Sequence, residues 1–331
     1  MITAIGSLPF GNVDEAIDHI FSSCRAVPFW PQLPKRSFLE GMYVQFLGQV
    51  PAVIIDEREE KIYVDTGSTY GIERFYEDVA THNLEAFRVS EEAAPGLYRL
   101  VERLPEIKDD VRIIKGQLTG PFTIGLGLKD ENGQPVIYNS AYFDIIKKAL
   151  HMKAAWMIAF IKSQFPEKEV MLFFDEPFMV SFGSAFVSIS KSEVISLMNE
   201  VLAGLGAVRA VHCCGNTDWS VLFGVNTEII NYDAYNFLET IFYFEEDLKA
   251  FLKKGGAVSP GVVPSSEAVF SSSVEDMVGL WHKFGEAVDA LGLGAKWREW
   301  FVTPSCGVGS LSERAAERVL ESLAAFDAAS K

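Results

Sequence analysis

Eight short apolar runs, separated by stretches of helical periodicity, constrain this chain more than any other feature. They fall at residues 2–7, 27–33, 112–118, 170–175, 209–213, 228–233, 257–262 and 300–304. Strand-length runs alternating with helices are the pattern of a parallel sheet, and about eight β units are what a closed barrel requires. The fold expected is therefore α/β, a single (β/α)8 TIM barrel. A chain of 331 residues could also be two ordinary domains, but no linker rich in Pro, Gly or Ser divides it, so residues 1–331 read as one catalytic domain. Between the runs, Val13, Ala16, Ile17, Ile20 and Phe21 mark one apolar helical face, and further helices read over 141–160 and 247–254. The last opens at Ser310-Leu311-Ser312-Glu313, which reads as a capping box. One stretch breaks the alternation: Val53-Ile54-Ile55 and Lys61-Ile62-Tyr63-Val64 flank a charged turn. This predicts a β-hairpin insertion within residues 50–66, after the second β unit, covering the barrel.

The net charge of −16 leaves no basic stripe to neutralise phosphates, which argues against a nucleic-acid partner. Four cysteines, two of them adjacent, do not make a disulfide framework and suit a reducing compartment. The first residues lack the basic and apolar regions of a signal peptide, and no apolar run is long enough to span a membrane. The expectation is a cytoplasmic protein with no membrane partner.

In a βα barrel the C-terminal ends of the strands build the active site. Here those ends read Gly6-Ser7-Leu8-Pro9, Gln117-Leu118-Thr119-Gly120-Pro121, Asp175-Glu176-Pro177, His212-Cys213-Cys214-Gly215, Tyr232-Asp233, Ser259-Pro260-Gly261 and Ser305-Cys306-Gly307. Period-2 geometry puts His212 and Cys214 on one side of their strand and Cys213 on the other. With Cys306 at another strand end they make three soft ligands for Zn2+, with room for a fourth group. A lone buried Cys is usually a small hydrophobe, so the coincidence of three on one rim carries the argument. Asp233 is the best carboxylate for the fourth position; its other reading is a helix cap. Asp175 and Glu176 follow an apolar strand directly, where two carboxylates are costly unless they face a cavity or are paired. Either Asp175 receives a substrate ammonium group, or the acidic pair caps a helix N-terminus. Gly6 and Ser7 either let the backbone approach a ligand closely or form a plain turn.

Ile5-Gly6-Ser7-Leu8-Pro9, Gln117-Leu118-Thr119-Gly120-Pro121, Asp175-Glu176-Pro177, His212-x-Cys214 and Pro304-x-Cys306-Gly307 occur in an order that resembles the C-terminal catalytic barrel of cobalamin-independent methionine synthase. The resemblance covers nearly the whole chain. That family shares a superfamily with uroporphyrinogen decarboxylase and the zinc-dependent methylcobamide:thiol methyltransferases, and His-x-Cys-Gly-Asn is typical of the last group. The resemblance implies a methyltransferase of methionine biosynthesis. Zinc would be held by His212, Cys214, Cys306 and a carboxylate at the position of Asp233. The homocysteine amino group would lie on Asp175, and the Gly6–Ser7 backbone would contact the amino acid, with Glu176 beside it. The methyl donor would be methyl-folate or a methylated corrinoid protein.

Three departures bear on that reading. The second, N-terminal barrel of full-length synthases has no counterpart in this sequence. A second homocysteine-binding acidic residue would fall near Trp30-Pro31-Gln32-Leu33-Pro34, where there is none, and Glu40 is a weak substitute. The histidine expected after the seventh strand as a proton donor is replaced by Ser259-Pro260-Gly261-Val262-Val263-Pro264-Ser265-Ser266. Methyl transfer from a folate gains from protonating a poor amine leaving group, whereas a corrinoid leaves without that proton, so the gap favours a corrinoid. The alternatives are a methyltransferase for another thiol, a metal-free lyase like uroporphyrinogen decarboxylase, and a non-catalytic zinc- or corrinoid-binding paralogue. The lyase would need an arginine-rich cleft, and Arg36 is the main arginine near these strand ends.

Overall fold

The computed structural model describes residues 1–331. Its strands are β1 (Val53–Asp56), β2 (Lys61–Val64), β3 (Ile113–Thr119), β4 (Glu169–Asp175), β5 (Val208–Cys213), β6 (Ile229–Tyr232), β7 (Ala257–Val263) and β8 (Thr303–Pro304). The last six form one curled sheet in sequence order, each strand parallel to the next, with helices between them. This is an α/β, TIM-barrel-like arrangement.

Register fixes which side chains share the concave face. Thr119 pairs with Asp175, Asp175 with His212, His212 with Asn231, and Asn231 with Ser259. Side chains alternate along a strand, so Lys115 and Gln117 also lie on this face, as do Phe173, Ala210 and Ile229. A small apolar cluster of Ile5, Val27, Ile113, Met171, Phe173, Ala210, Ile229 and Phe301 draws one or two residues from nearly every unit, and therefore fills the inside of the curl. The other face packs on the helices in a core of 84 buried residues. A core that large leaves the polar inner layer free to serve chemistry rather than folding.

The first two expected strands are present only as single parallel bridges: Ile2 with Val302, Ser7 with Gln32, and Phe29 with Lys115. Supporting bonds run from Thr3 N to Val302 O (3.2 Å), Gln32 N to Gly6 O (3.1 Å) and Lys115 N to Pro28 O (2.9 Å). Pro28, Pro31 and Pro34 explain the sparseness, because each removes a donor from a ladder that would otherwise run the length of the segment. β1 and β2 form a separate antiparallel pair, with Val53 opposite Val64 and Asp56 opposite Lys61.

The helices follow local signals. Asn12 caps Val13–Ser23, whose Ala16, Ile17, Ile20 and Phe21 are buried. The expected capping box at 310–313 is not formed: Ser312 caps the helix Glu313–Ala329 by accepting from Ala315 N. No helix is long and apolar enough to cross a membrane.

Candidate metal centre

The side-chain ligand atoms of His212, Cys214 and Cys306 all lie within 4.8 Å of one another. β5 ends at Cys213, so His212 is its last inward residue, and Cys214 continues the same face one step beyond the strand. Cys306 arrives from the turn after β8.

The imidazole is held from behind. His212 Nδ1 lies 2.5 Å from Asn231 Oδ1. The amide nitrogen of Asn231 donates to Ser259 O (2.8 Å), Ser259 Oγ (3.0 Å) and Thr303 Oγ1 (2.8 Å), which fixes its oxygen toward the histidine. An acceptor there requires the proton on Nδ1, so in the neutral ring Nε2 carries the lone pair. Nε2 is buried and has no hydrogen-bond partner. A donor atom that is oriented, buried and unpartnered beside two sulfurs fits a metal ligand with its supporting shell. Asn231 escaped the sequence reading; the available signal was an amide in the apolar run Ile229-Ile230-Asn231-Tyr232.

The electrostatics favour a thiolate at this point. The Cys214 thiol is shifted well down, first by its interaction with the Cys306 thiol and then by His212, against the opposing effect of burial. Cys306 is pushed up by the same pairing, since the two sulfurs do not both ionise without a cation. Burial disfavours a charged His212, but the adjacent Cys214 sulfur, Asp175 and Asn231 outweigh it and raise its pKa.

Asp175, opposite His212 in register, has Oδ1 buried and without a partner. Burial raises its pKa to about 6, opposed by the charges of His212 and Lys115. Glu176 does something different. Its two oxygens accept from Phe122 N (2.9 Å) and Thr123 N (2.7 Å) at the start of the helix Pro121–Gly127. Gly120 is needed beside it, because a Cβ there would come within 2.3 Å of Glu176 Oε1.

Asp233 lies outside the three-residue group. It caps the short helix Ala234–Phe237, accepting from Asn236 N (2.9 Å) and Asn236 Nδ2 (2.7 Å). Cys213 faces away, with its thiol on Gly215 O, and Cys24 is buried at the end of the first helix. The Gly6–Ser7 turn abuts the Cys306 loop: Val308 N donates to Ser7 O at 3.0 Å. Glu40 is buried with its carboxylate on Leu33 N and Arg36 Nε.

The buried Glu176 predicts a pH effect on stability. Burial raises its pKa from 4.5 to about 7, although the two amide contacts oppose that rise. The folded state therefore binds the proton more tightly than the unfolded chain does. Stability should fall as pH rises across that window and level off above it. Denaturant unfolding of wild type and Glu176→Gln between about pH 5 and about pH 8 should show their difference shrinking or reversing by about 3 kcal/mol. A pH-independent difference would contradict this assignment.

No family model matches the sequence, and no curated protein matches it. Solved structures do. A methyltransferase from Methanosarcina mazei matches with a TM-score of 0.57 at 12% identity, over 98% of this chain and 94% of that one. A putative vitamin-B12-independent methionine synthase from Listeria monocytogenes matches with a TM-score of 0.53 at 15% identity, over 95% and 85%. A B12-independent methionine synthase from Shewanella sp. W3-18-1, in complex with selenomethionine, gives 0.47 at 20% identity over 70% of this chain and 66% of that one. The first two establish a shared fold.

Proposed function

We propose that this chain is a zinc-dependent S-methyltransferase on a closed eight-unit βα barrel, moving a methyl group from a methylated corrinoid or methyltetrahydrofolate to a thiol, with homocysteine the favoured acceptor. Closure rests on the three bridges that link the first and second units to each other, to β3 and to the eighth unit. The observation that carries the reading is the convergence of His212 Nε2 and the Cys214 and Cys306 sulfurs beside the unpartnered carboxylate of Asp175.

His212, Cys214 and Cys306 would hold the ion, and zinc when bound supplies the Lewis acidity that keeps an incoming thiol as thiolate at neutral pH. Asn231 keeps the His212 lone pair aimed inward. Asp175 would receive the substrate ammonium, a charge pairing that offsets the cost of burying its oxygen. The Gly6–Ser7 backbone would orient the amino-acid end. Glu176, occupied by the 121–127 helix, would keep the strand ends in register rather than touch substrate. Asp233 caps the helix Ala234–Phe237 with one contact per oxygen, which leaves each oxygen a lone pair, and it is the carboxylate candidate for a fourth ligand.

The corrinoid is the favoured donor. After β7 the run 259–266 carries no histidine to protonate an amine leaving group, and the hydroxyl of Ser265 lies 2.7 Å from Ser305 Oγ. A lyase acting on a polycarboxylate is disfavoured, since none of the strand ends carries an arginine and Arg36 is the main one near them. The test is a donor panel with homocysteine and other thiols: methylcobalamin, methyl-folate and a methylated corrinoid protein. Thiol-dependent demethylation of at least one is expected; no turnover with any would overturn the enzymatic reading and leave a zinc- or corrinoid-binding role.

A further inference from the structure

Lys115 is a charged side chain with no solvent exposure, on the inner face of β3, and the chemistry above does not use it. Burying an ammonium costs several kcal/mol unless every direction is satisfied. Here each is. Nζ donates to Ile5 O at 2.6 Å and Gln117 Oε1 at 3.1 Å, and it lies 4.3 Å from the ring centre of Phe173.

These partners border the candidate site. Ile5 immediately precedes the Gly6–Ser7 turn. Gln117, its oxygen held by Lys115, donates to Trp30 O at 2.7 Å and packs against Gly6. A Cβ on Gly6 would approach Gln117 Nε2 to 2.5 Å, and the φ of +148° there is one that suits glycine. The other side of the turn is clamped to the Cys306 loop. Gly309 N donates to Ser7 Oγ at 3.4 Å, and a Cβ on Gly307 would fall 2.2 Å from that same oxygen. Contacts thus run unbroken from the buried Lys115 nitrogen, through residues 5–7, to the residue after Cys306.

We propose that Lys115 is a positioning residue for the Cys306 thiol: it pins the 5–7 turn, and the turn seats the 306–309 loop so that Cys306 meets His212 and Cys214. The inference rests on reading that trio as a metal centre and is independent of the methyl donor. A neutral side chain of similar length would release Ile5 O and leave Gln117 without its fixed partner. The loop carrying Cys306 would then sample positions off the ligand geometry.

The test uses Co2+, whose thiolate charge-transfer and d–d bands report the ligand set. Lys115→Met should bind Co2+ some 10–100-fold more weakly in chelator competition, the range typical of lost outer-shell support, with a weaker thiolate band and an unchanged far-UV spectrum. Gln117→Met removes the second arm and should shift both readouts the same way by less, which keeps the inference testable if Lys115→Met does not fold. Lys153→Met is the control. Lys153 is also buried, but its single bond is a 3.5 Å contact to Phe87 O, so its loss should leave cobalt binding unchanged. Wild-type affinity and bands in both Lys115→Met and Gln117→Met would overturn the inference. Absence of a thiolate band in the wild type would overturn the metal reading itself, and the inference with it.

Discussion

Replacing Cys214 with serine is expected to strip the protein of metal while leaving it folded. A four-ligand zinc site contributes about 10–16 kcal/mol, so one ligand accounts for roughly 3–4 kcal/mol, on the order of a thousandfold in affinity. Serine restores little of this, because its hydroxyl stays protonated at neutral pH and is a harder donor. The fold should survive, since Cys214 belongs to neither apolar cluster and the main core buries 84 residues without it. Zinc analysis after dialysis should give about one equivalent for wild type and under a tenth for Cys214→Ser. Thiol methylation should fall with it. Cys213→Ser is the internal control: that thiol faces Gly215 O on the opposite side of the strand, so zinc content should not change. Full occupancy in Cys214→Ser, or equal loss in the two variants, would remove the basis for the proposed chemistry.

Most of what positions this site was legible in the sequence because it obeys period 2. His212, Cys214 and Cys306 were expected on one rim, and their ligand atoms converge within 4.8 Å. The order of the parallel units followed from the alternation of apolar runs, but the continuity of their ladders did not. Pro28, Pro31 and Pro34 reduce the second unit to single bridges, and Gly6 lies in a backbone conformation no strand uses. Partner choice among carboxylates was the least legible feature. Two readings of Asp175-Glu176 are open in the sequence, and the capping one describes Glu176, which holds the start of a helix, while Asp175 has a buried oxygen without a partner. The helix that Glu176 caps belongs to the preceding β unit, so nothing local in the sequence announces it. Asn231 and Lys115 are illegible in the sequence for a related reason. A polar residue inside an apolar strand reads as an interruption until register shows that it faces His212 in one case and the Gly6 turn in the other.

Replacing Asp175 with asparagine should weaken use of an amino-acid thiol and strengthen the fold. The carboxylate is buried, one oxygen has no partner, and burial drives its pKa up to about 6 against the pull of His212 and Lys115. Such a group is held at a cost of about 1–3 kcal/mol, which an isosteric neutral amide relieves in part. The pH dependence has a definite sign. Because the folded-state pKa is raised from 3.8 to about 6, wild-type stability falls as pH rises through that window, and Asp175→Asn should flatten this slope. Function should move the other way. Loss of a buried ammonium–carboxylate pair costs roughly 3–5 kcal/mol, so kcat/KM for homocysteine should drop by roughly two to four orders of magnitude. A thiol of similar length without an amino group never uses that pair, and its much lower kcat/KM should scarcely change. The contrast between the two acceptors separates recognition from general damage: a disturbed metal centre would slow both alike. Equal losses with both thiols would therefore place Asp175 among the groups that support the metal centre and would leave the ammonium without an assigned partner.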